Sequence, residues 1–99
     1  MARIKIEYPF IPTISNCKEN IANGDIGLIN YHLHKDNTWV GCSFKTLNER
    51  NANINVLEKE GGDYASIHYY QLELFRLENP NATRDEMLKY STDYFTNLL

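Results

Sequence analysis

Cysteine is almost missing from this sequence: Cys17 and Cys42 stand alone, with no Cys-x-x-Cys spacing. That rules out a zinc or dithiol centre built from local ligands, and two reduced thiols of an intracellular protein are the expectation. No apolar run approaches the roughly twenty residues of a membrane span. Met1-Ala2-Arg3-Ile4-Lys5 alternates charge with apolar residues and does not read as a signal peptide, so the chain is expected to be cytoplasmic. Basic residues are also scarce, ten Lys and Arg against thirteen Asp and Glu for a net charge of −3. This lacks the basic patch of a typical nucleic-acid binder, and the acidic excess is far too small for a DNA-mimicking surface. Asn81-Ala82-Thr83 matches a glycosylation sequon, but is better explained as a turn leading into a helix.

What is present fits a globular protein. The 99 residues are expected to form one domain, burying about two-thirds of the unfolded surface without metal or disulfide help. Hydrophobic content of 42% and charged content of 23% are ordinary. The charges are unevenly spread. Residues 1–57 carry six basic against five acidic side chains, and residues 58–99 carry four against eight. Abundant Asn, Ile, Tyr and Lys with little Ala points to an AT-rich coding sequence.

The clearest local signals lie in residues 63–99, which read as a helical hairpin. Thr83-Arg84-Asp85-Glu86 fits a capping box opening a helix over Arg84–Leu98, with Met87, Ser91, Tyr94, Phe95 and Leu98 on one stripe and Tyr90 beside it. A first helix is expected over Tyr64–Glu78, entered through Gly61-Gly62 with Asp63 as N-cap and stopped by Pro80. The two helices should pack antiparallel.

The strands lie upstream. Arg3–Tyr8 alternates strictly, and Pro9 and Pro12 suit a sheet edge or exit. Ser15–Ala22 suggests a short helix with Asn16 and Glu19 as a capping pair, ended at Asn23-Gly24. In Gly27–His34 the residues Ile29, Tyr31 and Leu33 share a face opposite Asn30, His32 and His34. In Thr38–Lys45, Val40, Cys42 and Phe44 oppose Trp39, Gly41 and Ser43. A two-residue turn at Asp36-Asn37 pairs Leu33 with Val40, Tyr31 with Cys42 and Ile29 with Phe44, directing all six inward. Thr46–Lys59 is ambiguous. Thr46–Glu49 resembles another capping box, yet Asn51, Asn53 and Asn55 alternate with Ala52, Ile54 and Val56. Asn disfavours helix interiors, so a strand over residues 52–58 is expected. The fold class is therefore α+β, a small, mostly antiparallel sheet of three to four strands packed against a C-terminal antiparallel helical hairpin.

Chemistry is sparse. His32 and His34 offer a His-x-His pair, but Cys17, Cys42 and His68 have no spacing that completes a metal site. Cys42 falls on the buried face, where a thiol loses reactivity. Gly61-Gly62 lacks the lysine and fuller loop of a phosphate cradle. No cofactor, metal or catalytic residue is expected. The best lead is the outer face of the β-hairpin, where Trp39 and His34 meet near His32, with Lys35 and Lys45 available. Equally, Phe10–Ser15 folding over Trp39 would make that residue structural. Tyr69 and Tyr70 cannot both face the core, and an outward Tyr suits a homodimer or host-protein interface.

These features suggest a small non-enzymatic binding protein, an accessory protein of a phage or mobile element that inhibits a host factor by protein–protein contact. The alternative is a nucleic-acid or nucleotide binder using the Trp/His face, marked by binding that weakens steeply with salt.

Overall fold

A computed structural model describes residues 3–5, 11–35 and 38–98, leaving aside the side chains of residues 3–5 and of Ala65. The expected strand residues Ile6–Tyr8, the segment Pro9-Phe10 and the turn residues Asp36-Asn37 lie outside this range. Four antiparallel strands are described: β1 (Arg3–Lys5), β2 (Gly27–Leu33), β3 (Thr38–Phe44) and β4 (Gly62–Tyr69), in the order β1-β3-β2-β4. Four helices accompany them: α1 (Ile14–Ala22), α2 (Leu47–Lys59), α3 (Tyr70–Glu78) and α4 (Arg84–Leu98). The architecture is α+β, as the sequence suggests.

The β2–β3 register differs from expectation by two residues. Leu33 faces Thr38, Tyr31 faces Val40, Ile29 faces Cys42 and Gly27 faces Phe44. Side chains alternate with period two, so a slip of two leaves every face unchanged and the burial pattern cannot detect it. The inward set is as expected: Ile29, Tyr31, Val40, Cys42 and Phe44 form one buried cluster.

Two segments adopt the other type of secondary structure. Residues 52–58, expected as a strand, lie within α2. Its N-terminus is capped by Thr46, whose Oγ1 accepts from the backbone N–H of Glu49 at 3.0 Å. The alternating Asn residues do not act alike. Asn51 and Asn55 are exposed, while Asn53 is buried and donates through Nδ2 to the Ser43 carbonyl at 3.2 Å. Burial of Leu57 and Ile54 against the sheet overrides the poor helix propensity of Asn. Residues 64–69, expected to begin the first helix of the hairpin, belong to β4. Gly61 sits at φ +80°, a conformation that favours glycine, and turns the chain from α2 into this strand. There Ile67 and Tyr69 join the apolar cluster, while Ser66 and His68 take the other face. Asp63 therefore caps no helix.

The helical hairpin survives in shortened form. β4 runs directly into α3, which has no side-chain cap; the Tyr70 N–H donates instead to the Ile26 carbonyl at 2.9 Å. The reciprocal Thr83–Glu86 box opens α4 as expected, at 3.1 and 3.2 Å. Phe75 of α3 stacks on Tyr90 of α4 (4.2 Å between centroids), and Tyr69, just before α3, meets Phe95 edge-on (4.7 Å), so the two helices run antiparallel. The hairpin meets the sheet through Tyr69, which also touches Phe44, while α2 covers the rest of the apolar face. α1 starts one residue earlier than expected, and its reciprocal box is formed by Thr13 and Asn16 rather than by Asn16 and Glu19. Its Cys17 and Ile21 pack with Leu28, Tyr70, Leu74 and Leu77 in a second cluster.

Candidate binding site at the open end of the sheet

The end of the sheet away from α1 and α3 gathers residues from three strands. On β2 and β3, His32 pairs directly with Trp39. Their rings lie 4.9 Å apart at 35°, and His34 approaches His32 edge-on at 5.5 Å. The three aromatic residues expected to share the outer face do so, with His32 rather than His34 opposite Trp39. Trp39 and His32 are half-buried and His34 is exposed. From β4, Asp63 reaches across, its Oδ2 2.6 Å from His34 Nε2.

Around the strand edge from this pair lies an open groove of about 620 Å³, lined by Tyr31, His34, Glu58, Gly61, Gly62, Asp63 and Tyr64. The Tyr31 and Tyr64 rings meet at 5.9 Å and 54°. Tyr31 is fully buried and its hydroxyl donates to the Ile54 carbonyl at 3.3 Å. Burial, then the neighbouring Glu58, Tyr64, Cys42 and Asp63, pushes its phenol up to about 12. Gly62 is required here because a Cβ would lie 2.9 Å from the Tyr31 ring and 3.1 Å from the Leu57 carbonyl.

Not every residue singled out in the sequence joins this site. Lys45 follows β3 at the opposite end, where Nζ bonds the Asn23 carbonyl at 2.9 Å and Asp25 at 3.2 Å. The antiparallel hairpin separates it from Trp39 by the length of the strand. Lys35 is exposed next to His34. Tyr70 is buried in the second core cluster and Tyr69 is wedged between Phe44 and Phe95. Neither supplies an outward aromatic, because the strand-to-helix junction changes the period and turns both rings inward. The outward one is Tyr64, with 53% of its surface exposed.

A second polar chain was hidden by the helical reading of β4. Asn30 Nδ2 donates to Ser66 Oγ at 3.2 Å, and Ser66 Oγ lies 3.0 Å from His68 Nε2. His68 Nδ1 lies 3.5 Å from Glu73, which Arg76 also holds. The order hydroxyl, imidazole, carboxylate is that of a nucleophile and its base. Here His68 and Glu73 are largely enclosed, and the chain fastens α3 to β4. Alternation of Ser66 and His68 was the only sequence signal for it. The thiols offer no nucleophile: Cys42 is buried, and burial followed by Glu73 raises Cys17, with Arg76 opposing.

No group of three or more His, Cys, Asp or Glu side chains suited to a metal ion occurs among the described residues, and none of their helices is long and apolar enough to cross a membrane. Compared with models of known protein families, with curated proteins and with solved structures, the chain matches none.

Proposed function

We propose that this chain is a non-enzymatic binding protein that acts by occupying a partner protein, with His32, His34 and Trp39 at the centre of the contact. The observation that carries this reading is the ring cluster itself, Trp39 on His32 and His32 on His34, at a sheet end where His34 remains 58% exposed. Rigid aromatic side chains lose little conformational freedom on binding and supply large contact areas, the character of interface hot spots. Inhibition of a host factor is the mode of action suited to such a contact.

The surrounding charge favours a protein over a nucleic acid. Asp63 and Glu58 flank the cluster beside the single positive charge of Lys35, while Lys45 is engaged at the far end of the hairpin. A phosphate backbone would meet carboxylates here and gain little from counterion release.

The test is affinity capture from host lysate with and without nuclease, using the wild type and Trp39→Ala in parallel. A stoichiometric protein band retained by the wild type and lost by a folded Trp39→Ala variant is expected. Capture that disappears with nuclease, or is unchanged by Trp39→Ala, would reject the reading.

A further inference from the structure

We propose that the groove beside the His34–Asp63 pair receives a guanidinium group, an arginine side chain presented by the partner; this rests on the protein-partner reading above. Three observations converge. The first is charge. Among the described residues Glu58 makes no ion pair and Asp63 engages His34 through Oδ2, leaving Oδ1 for an incoming donor. Two carboxylates lining one groove favour a cation, and among the described residues no Lys or Arg side chain lines it.

The second is shape. Tyr64 is half-exposed and tilted against Tyr31, so the groove has an aromatic wall as well as acidic walls. A planar cation stacks on such a ring while its N–H groups fork towards carboxylate oxygens, which a spherical ammonium or metal ion cannot do. The third is access. Gly61 and Gly62 put no side chain into the groove, and nothing lies within 4 Å of where a Gly61 Cβ would stand. About 620 Å³ of open space admits a side chain on a protein surface, but is far too wide to strip water from a bare metal ion. Arginine is also enriched at protein interfaces.

The geometry gives each residue a separate role. Tyr64 supplies the stacking face, Glu58 and Asp63 accept hydrogen bonds, and His34 holds the Asp63 carboxylate through Oδ2.

The experiment is NMR titration of the full chain with N-acetyl-arginine amide, following the Gly61, Gly62 and Tyr64 amides. N-acetyl-citrulline amide serves as the uncharged isostere. Saturable shifts centred on those amides are expected, with citrulline binding about tenfold more weakly. Tyr64→Ala and Glu58→Gln, both at exposed positions, should each weaken the arginine probe by about threefold to tenfold while the remaining spectrum stays native. Equal binding of citrulline, shifts centred elsewhere, or no saturable shift would overturn the proposal. So would changes at these amides on simple dilution, which would assign the groove to a second copy of the chain. The titration requires no partner, so its failure removes the guanidinium site and leaves the Trp39-dependent capture to be judged by its own result.

Discussion

Two adjacent residues on α2 provide a sharp test of the fold. Leu57 is fully buried against Ile29, Tyr31, Val40, Cys42 and Phe44, whereas Val56 is 36% exposed. Leu57→Ala removes buried methyl groups and leaves a cavity between helix and sheet, at a cost of about 3 kcal/mol within a usual span of about 2–5. For a domain of this size each kcal/mol moves the thermal midpoint by about 5 °C, so the variant should melt about 15 °C below the wild type. Val56→Ala loses little buried area and gains about 0.5 kcal/mol of helix propensity, so its midpoint should stay within about 3 °C of the wild type. A strand over residues 52–58 reverses the order, since Val56 would then face inward with Ile54 and Leu57 would face out. Circular dichroism melts and urea titrations of both variants decide. A Val56→Ala loss exceeding that of Leu57→Ala would refute the placement of α2.

Gly27→Ala should destabilise by about 2–3 kcal/mol, because its Cβ would stand 2.5 Å from the His68 carbonyl and 2.8 Å from the Phe44 ring; a neutral result in urea titration would show that β2 and β4 are not so closely apposed. Burial pushes both Tyr31 and Tyr70 up to about 12, further raised by Glu58 beside Tyr31 and Asp25 beside Tyr70. Their unfolded values lie near 10, so between about pH 10 and 12 the folded chain holds protons that the unfolded chain has lost. The stability they contribute is complete below pH 10 and declines as pH rises through that window. Tyrosinate absorbance should show two tyrosines ionising well above the ordinary phenol range, together with unfolding; loss of both protons near pH 10 from the folded chain would disprove their burial.

Side chains acting through neighbours in sequence were legible; those acting through distant partners were not. The Thr83–Glu86 box, the Asn23-Gly24 stop and the inward face of the β-hairpin depend on local spacing, and all appear in the structure. Asn53 misled because its amide nitrogen donates to a carbonyl on β3, ten residues earlier in sequence. Segment 64–69 carries both periods: Tyr64 and Ile67 fit a helix, while Ser66 and His68 alternate with Ile67 and Tyr69. Pairing with β2 selects the strand. At the candidate site, His32, His34 and Trp39 could be grouped from strand alternation alone. Asp63 and Tyr64 join them because β4 returns beside β2, and Glu58 because α2 packs over the sheet, long-range contacts that spacing does not encode.

The junction between Tyr69 and Tyr70 carries a consequence for how chain length can vary. Strand becomes helix there within one peptide bond, with Tyr69 on the Phe44 side and Tyr70 in the cluster around Cys17. One inserted residue would turn α3 by about 100° about its axis relative to β4. That turn would carry Tyr70 away from Cys17 and Leu28 and part Glu73 from His68. The stretch 80–82, between the Asn79 end of α3 and the Thr83 cap of α4, is surface turn without such packing. Descendants of this chain should therefore gain and lose residues at 80–82, while the spacing from His68 to Glu73 stays fixed.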